Sequence, residues 1–132
     1  MNYWLLKSEP KLYSWDNMRK EKTTIWNGVR NYQAQRYMKI MQKGDLCFFY
    51  HSGSERRIVG IVSVTSESCF KDKDELNLVN IEISFYSNIE KPIELSRIKS
   101  IEPNCILAIQ PRLSIVPLNV DLWNKVMLYS NS

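Results

Sequence analysis

The chain has 132 residues, of which 44% are hydrophobic and 24% are charged. This length suits one domain that buries roughly two-thirds of the surface its unfolded form exposes, and the composition excludes a disordered or membrane-embedded protein. The 18 Lys and Arg residues exceed the 14 Asp and Glu residues and give a net charge of +4, which is a mild bias toward anionic partners. Without a signal-peptide pattern or an apolar run of ~20 residues, we expect the protein to stay in the cytoplasm.

The cysteines and the missing motifs exclude several classes of chemistry. Cys47, Cys69 and Cys105 are odd in number, widely spaced and without a C-x-x-C pair, which argues against a disulfide framework and a zinc site. The one histidine excludes a His-rich metal centre, and no nucleotide-binding, serine-hydrolase or zinc-protease motif is present. We therefore predict reduced, buried thiols, no metal and no cofactor.

The N-terminal third of the chain predicts one strand and two helices. The segment "YWLLK" (3–7) is short, aromatic and apolar, and it predicts a strand that ends in the "SEP" turn. Ser14 is placed to cap a short helix, "WDNMRK", and Asn31 to cap a longer one that Lys43 and Gly44 would end. Trp26 falls between the two helices, in what reads as a polar loop. The apolar face of the longer helix is spaced at i, i+3, i+4 and i+7 and consists of Ala34, Tyr37, Met38 and Met41.

Later segments predict strands and a closing helix. The runs "LCFFYHS" and "IVGIVSV" flank a polar "GSERR" turn, as in a hairpin, and "LVNIEISF" alternates as a half-exposed strand does. The runs "CILAI" and "RLSIVPL", on either side of Pro111, predict short strands. A last helix carries Leu122 and Trp123 on one face, with Asn119 or Asp121 as its cap. Many short strands with early and late helices predict an α+β fold, a small curved sheet or barrel with helices packed outside it.

A candidate site follows from aromatic and polar residues at predicted strand ends. Tyr50 and His51 end one strand, Arg112 and Ser114 begin another, and Trp26 lies in a loop. Such positions collect at the mouth of a barrel, where ligand pockets form. A flat ring beside hydrogen-bonding groups suits an extruded or single-stranded base, since stacking on an aromatic ring is worth roughly 1 to 3 kcal/mol. The alternative is that Trp26 only covers the core.

Several segments together resemble a known family. In order and spacing, "YWLLKSEP", "YSW", "TTIWNGVRNYQAQRYM", "KGDLCFFYHS", "IVGIVSV", "KPIEL", "RLSIVPL" and "WNKVM" are similar to the EVE domain over nearly the whole chain. The resemblance implies a PUA-like mixed β-barrel with flanking helices, similar to the YTH domains that read methylated adenine in RNA. It also implies a reader of modified bases in DNA or RNA, which holds an extruded base in an aromatic-walled pocket.

The resemblance implies which residues form the site. Trp26, helped by Tyr50 or His51, would sandwich the base, while Asn31 and Ser8 would bond its edge and Glu9 would accept from an exocyclic amine or order the loop. The implied base pocket comprises Ser8, Glu9, Trp26, Gly28, Val29, Asn31, Tyr50, His51, Ser52, Arg112, Leu113 and Ser114. On physical grounds, the residues expected to contact phosphates are Lys7, Arg30, Arg36, Arg56 and Arg57, and the alternative for each is a solvated surface charge.

Two departures from the family pattern bear on this site. Asn27 stands where the family usually has Asp, which replaces an acceptor by an amide that also donates. The segment "FKDKDELNLVN" is shorter than the usual insert, which commonly carries aromatics beside the pocket.

The leading hypothesis is a non-enzymatic reader of methylated or hydroxymethylated cytosine, or of methyladenine, whose output comes from an effector protein in another chain. One alternative is an enzyme acting on a modified nucleobase or nucleotide, with Glu9 or His51 as proton carrier. The other alternative is a protein-interaction domain.

Overall fold

The computed structural model describes residues 1–66, 69–70 and 78–130. Strands and helices do not alternate regularly along these residues, which distinguishes an α+β fold from a doubly wound α/β fold. In chain order they are β1 (Tyr3–Ser8), α1 (Trp15–Glu21), β2 (Thr23–Trp26), α2 (Tyr32–Ile40), β3 (Leu46–His51), β4 (Arg57–Val64), β5 (Cys69–Phe70), β6 (Val79–Glu94), α3 (Leu95–Ile101), α4 (Ile106–Ile109), β7 (Ile115–Leu118) and α5 (Val120–Ser130). None of the described helices is both long enough and apolar enough to cross a membrane.

The strands form a mixed sheet in the order β2-β6-β4-β3-β1-β7, with β5 paired to β6. Strands β1 and β3 are parallel and the other pairs are antiparallel. The predicted α+β class is confirmed, but in the described part of the chain no ladder joins β2 to β7, so the strands form the predicted sheet without closing it into a barrel. Helix α2 contacts both β6 and β7. The side chain of its Gln35 accepts from the backbone N–H of Val79 at 2.9 Å and donates to the Val79 carbonyl at 3.2 Å. These two bonds to β6 resemble those that a neighbouring strand would make.

The two faces of the sheet are covered by different helices. Side chains alternate along β3. Phe49 contacts Trp15 of α1, with ring centroids 5.1 Å apart. Its neighbour Phe48 points the other way and stacks on Trp123 of α5 at 3.8 Å and 15°. We call these sides the α1 face and the α5 face.

Both predicted N-caps are confirmed. Ser14 forms a capping box with Asn17, and the Asn31 Oδ1 accepts from the Ala34 N–H at 2.9 Å. Local hydrogen bonds of this kind satisfy amide groups that the first helical turn leaves without partners.

The predicted end of α2 is wrong by several residues. The helix stops at Ile40 and not at Lys43 and Gly44, because the buried carboxylate of Asp45 accepts from the Gln42 N–H at 3.0 Å and the chain turns out of the helix.

The C-terminal region differs from its prediction in one segment. The run "CILAI" forms helix α4 and not a strand, because the Cys105 carbonyl accepts from the N–H groups of Ala108 at 2.9 Å and Ile109 at 3.1 Å. The following strand is confirmed, but it begins at Ile115, so Arg112 and Ser114 lie in the loop before it and not at its start as predicted. The closing helix is confirmed, and the Asn119 Oδ1 caps it by accepting from the Leu122 N–H at 2.7 Å.

The structure describes the side chains of two of the three cysteines. Cys47 and Cys105 are buried and free, as predicted, and burial, with the nearby Asp45 carboxylate, raises the pKa of the Cys47 thiol. The side chain of Cys69 lies outside what the structure describes. The shortened segment 70–80 also lies mostly outside the described residues.

Candidate nucleic-acid interface

Three of the predicted site segments meet where β1 and β3 end and β7 begins. The parallel register sets Ser8 beside His51, and the Ser52 N–H donates to the Ser8 carbonyl at 2.9 Å. On the other side of β1, the Lys7 N–H donates to the Ser114 carbonyl at 2.9 Å. Strand pairing therefore brings together segments that are far apart in the sequence.

Trp26 lies at the end of strand β2, paired with Ile81, and not in a loop as predicted. Its half-buried ring meets Tyr13 at 6.1 Å and 75°, and Phe49 at 5.9 Å and 76°, while those two rings are 6.4 Å apart. The three centroids form a nearly equilateral triangle, so the three rings make one aromatic cluster with edge contacts to the indole. Within the described residues, no ring stacks parallel to the indole and no acceptor bonds its N–H. Trp26 is therefore seated on the core and remains partly exposed.

The loop after Trp26 is held by helix α2. Gly28 has φ +72°, a conformation that favours glycine, and the Val29 carbonyl accepts from the Gln35 Nε2 at 2.7 Å. Val29 also packs against the core cluster. The same Gln35 that bonds strand β6 thus fixes the backbone between Trp26 and Asn31.

The "SEP" turn is closed by its own hydrogen bonds. The Glu9 carbonyl accepts from the N–H groups of Leu12 and Tyr13, both at 2.9 Å, and the buried Ser8 hydroxyl donates to the Tyr13 carbonyl at 2.5 Å. The Glu9 carboxylate lies against Gly53, where a Cβ would stand 2.9 Å from its Oε2. Glu9 and Ser8 therefore order the turn, and Gly53, which sequence reasoning missed, allows the carboxylate to approach.

The side chain of His51 is buried on the α1 face and is hydrogen-bonded within the protein. Its Nε2 accepts from the backbone N–H of Trp15 at 2.9 Å, so its Nδ1 carries the proton that is donated to the Glu55 Oε1 at 3.0 Å. The hydrogen bond from His51, together with Arg57 Nε at 3.1 Å, lowers the pKa of Glu55. With both ring nitrogens occupied and 7% of its surface exposed, His51 supports the start of α1 and does not stack on a base.

Tyr50 and Lys7 lie on the α5 face, away from Trp26. Tyr50 is 2% exposed, and the Lys7 Nζ lies 5.7 Å from the centre of its ring. That Nζ donates to the Pro111 carbonyl at 2.8 Å, and burial, with the charge of Lys99, lowers the pKa of Lys7. The predicted sandwich of a base between Trp26 and Tyr50 is therefore not formed, and Lys7 anchors a loop where a free phosphate contact was predicted.

Three predicted residues line one open cleft. Asn31, Arg112 and Leu113 border a space of ≈ 350 Å³ between the start of α2 and the loop before β7. Asn31 Oδ1 is used in the helix cap, so its amide nitrogen is the part left to donate. The remaining walls come from residues that sequence reasoning missed, namely Gln33, Gln110 and Pro111.

The arginines among the predicted phosphate contacts differ in whether they pair with a carboxylate. Arg30 and Arg36 are exposed and have no ion partner among the described residues. Arg56 is exposed, with φ 46°, in the turn between β3 and β4, whereas Arg57 is paired with Glu55. In the described part of the chain, no three His, Cys, Asp or Glu side chains are grouped so that they could hold a metal ion.

Comparisons with known proteins identify the family. The EVE domain model matches residues 2–128. Thymocyte nuclear protein 1 of Gallus gallus is 30% identical over 95% of this chain and 67% of its own length. That alignment spans 164 positions, so the relative carries residues that this 132-residue chain lacks.

Solved structures share this fold over nearly the whole chain. The NMR structure of Rpa0253 from Rhodopseudomonas palustris has a TM-score of 0.93 at 31% identity, over 99% of this chain and 94% of that one. Human THYN1 protein in complex with 5-methylcytosine-containing DNA has a TM-score of 0.91 at 27% identity, over 100% and 99% of the two chains. The chain thus belongs to the EVE domain family, as its sequence predicted.

Proposed function

We propose that the protein is a non-enzymatic nucleic-acid-binding module that reads a modified base held against Trp26. The observation that carries this proposal is the position of Trp26, a half-buried ring at the end of β2 that has edge contacts with Tyr13 and Phe49 and no parallel-stacked ring among the described residues. A ring seated on the core in this way loses little freedom when a base stacks on it, and such a stack contributes roughly 1 to 3 kcal/mol.

The chemistry of the ligand is suggested by a structural relative. The human THYN1 protein, which shares the fold over the whole chain, was solved with DNA that contains 5-methylcytosine. We therefore take a methylated cytosine in DNA as the first ligand to test, with hydroxymethylcytosine, methyladenine and RNA as comparisons.

The structure changes the roles that the residues would have in this reader. Trp26 would stack on the base, the Asn31 amide would donate to its edge, and Arg30 and Arg36 would contact phosphates. Glu9 would act by ordering the turn beside the pocket, because its carboxylate already lies against Gly53.

The enzymatic alternative has less support. A general acid or base needs a nitrogen or oxygen that can reach the substrate. Both nitrogens of His51 are bonded inside the protein, and its exposed fraction is 7%. We accordingly expect no change in the mass of a modified oligonucleotide after long incubation with the protein.

The proposal is tested by titrating labelled oligonucleotides that differ at one base, with fluorescence anisotropy as the readout. Matched single-stranded and duplex DNA and single-stranded RNA would carry cytosine, 5-methylcytosine, 5-hydroxymethylcytosine, adenine or N6-methyladenine. Tryptophan emission gives a second signal, because Trp4, Trp15 and Trp123 are at most 7% exposed and quenching by a stacked base would report on Trp26.

Two variants separate the base pocket from the rest of the surface. Trp26→Ala should abolish the preference for the modified base and the quenching. Tyr129→Ala, which removes a 44% exposed ring from α5, should change neither. If Trp26→Ala binds every oligonucleotide as wild type does, the pocket assignment is wrong and only a basic surface remains.

A further inference from the structure

The cleft beside the Trp26 loop, bordered by Asn31, Gln33, Gln110, Pro111, Arg112 and Leu113, differs from other described clefts in having no carboxylate in its lining. None of its lining residues is acidic. Three other surface clefts in the described part of the chain each include Glu55 or Glu94. The lining of this cleft therefore contains no charged group that would repel a phosphate.

The hydrogen-bonding groups of this cleft are of two kinds. Arg112 can only donate, because a guanidinium has no acceptor. Asn31 is also a donor here, because its Oδ1 is already bonded to the Ala34 N–H and its amide nitrogen is left. Gln33 and Gln110 can both donate and accept. The Gln33 Nε2 lies 3.2 Å from the Tyr37 hydroxyl, which leaves its carbonyl oxygen available, and the Gln110 amide has no partner among the described residues.

The cleft is held in shape by the protein. The Lys7 Nζ donates to the Pro111 carbonyl at 2.8 Å, which fixes the loop and puts a positive charge at that carbonyl. Leu113 is 4% exposed and its N–H donates to the Gln110 carbonyl at 3.2 Å. The space of ≈ 350 Å³ lies within the range of about 300 to 1,000 Å³ found for small-ligand sites and is large enough for one nucleobase.

We propose that this cleft is a second base subsite, which holds a nucleotide adjacent to the modified one and reads its edge through Gln33 and Gln110. The glutamine carbonyl oxygens can accept a hydrogen bond that a phosphodiester cannot donate, whereas the edges of nucleobases carry both donors and acceptors. Asn31 ends the loop that begins at Trp26 and also lines the cleft, so one strand of nucleic acid would pass from one subsite to the other. This inference rests on the proposed function, and it adds a preference for the sequence around the modified base.

The test uses single-stranded DNA with one 5-methylcytosine, or the modified base preferred in the first titration. The nucleotide on its 5′ or 3′ side is varied among A, C, G, T and an abasic site. We expect an abasic flank on one side to weaken binding, and the four bases there to differ in affinity by at least about fivefold, which is the low end of discrimination by a good side-chain-to-base contact.

The variants Gln110→Leu and Gln33→Leu should flatten that pattern while the preference for the modified base persists. Gln110→Glu should weaken binding to every flank, because it puts a carboxylate into the cleft. Gln42→Leu, an exposed change beyond the other end of α2, is the matched control and should leave the pattern intact.

The two proposals fail in different ways. Equal affinity for all flanks and the abasic site, or an unchanged pattern in both Leu variants, would overturn the subsite while the reading of the modified base stands. Loss of any preference between modified and unmodified base in the wild type would instead overturn the proposed function.

Discussion

The indole ring of Trp15 lies directly on the α-carbon of Gly60, so that a Cβ at position 60 would stand 2.1 Å from its Cζ2. The indole cannot easily move aside. Its Nε1 donates to the Asn88 Oδ1 at 3.0 Å, and its backbone N–H donates to His51 at 2.9 Å. Helix α1, and with it the Tyr13 ring that supports Trp26, is docked on the sheet through this contact.

Gly60→Ala should therefore destabilise the protein by about 1 to 3 kcal/mol or more, as overpacking of a close contact does. The free energy of unfolding would be measured by urea denaturation. The same substitution in a Trp15→Ala background should cost much less, because the Cβ then enters the space that the ring has left. An equal cost in both backgrounds would show that the ring does not limit position 60.

The side chain of Asn31 caps helix α2 with its oxygen and is proposed to donate to the base with its nitrogen. Substitutions can separate these two roles. Asn31→Ser keeps an oxygen that accepts from the Ala34 N–H but removes the amide nitrogen, so the stability should change little while the affinity for the modified base falls. Asn31→Ala removes both and should also cost about 1 kcal/mol of stability, the usual value of an N-cap. Unfolding and anisotropy titrations on both variants give the comparison, and unchanged affinity in Asn31→Ser would assign Asn31 to the cap alone.

Much of the fold could be predicted because its signals are local. Ser14 and Asn31 precede helices as caps do, and the hairpin of β3 and β4 has its own turn. The segment "CILAI" was predicted wrongly since short apolar runs do not distinguish a strand from a buried helix. Strand β2 escaped prediction because it has only four residues, two of them exposed.

The site was predictable to the extent that strand ends determine it. The segments that contain Ser8, Ser52 and Ser114 lie side by side because β1 pairs with both β3 and β7. The separation of Tyr50 from Trp26 depends on which helix covers which face, and that is a property of the tertiary structure. Gln33 and Gln110 carry no local signal, since their cleft exists only because α4 and the loop after it fold back toward α2.

Lys7 should act on binding through the loop that it holds and not through a phosphate. Lys7→Met keeps much of the side chain but loses the bond to the Pro111 carbonyl, so the affinity should fall while the dependence of log K on log salt keeps its slope. Arg36→Gln, which removes an exposed cation from α2, should instead lower the slope by about one while base preference is retained. The measurement is a titration at several salt concentrations, and a shallower slope for Lys7→Met would restore Lys7 as a phosphate contact.

Tyr13 gives a pH-dependent test of how Trp26 is supported. Burial and the hydrogen bond that its hydroxyl donates to the Glu21 Oε1 at 2.5 Å raise the pKa of Tyr13 to about 12, whereas a solvated tyrosine titrates near about 10. Because the fold favours the neutral phenol, the stability that it contributes is complete below about pH 10 and is lost as the pH rises toward 12. The difference between the tyrosinate absorbance titrations of wild type and Tyr13→Phe isolates this group.

Glu21→Gln should shift the Tyr13 titration part of the way toward its ordinary value, because the burial remains and the carboxylate is gone. Ionisation of Tyr13 puts a charge on a ring whose centroid lies 6.1 Å from that of Trp26, so the Trp26 emission should change in the same pH window. A Tyr13 midpoint near about 10 would mean that its ring is solvated. In that case Tyr13 does not hold Trp26 from the core side, and Phe49 alone would position the indole for a base.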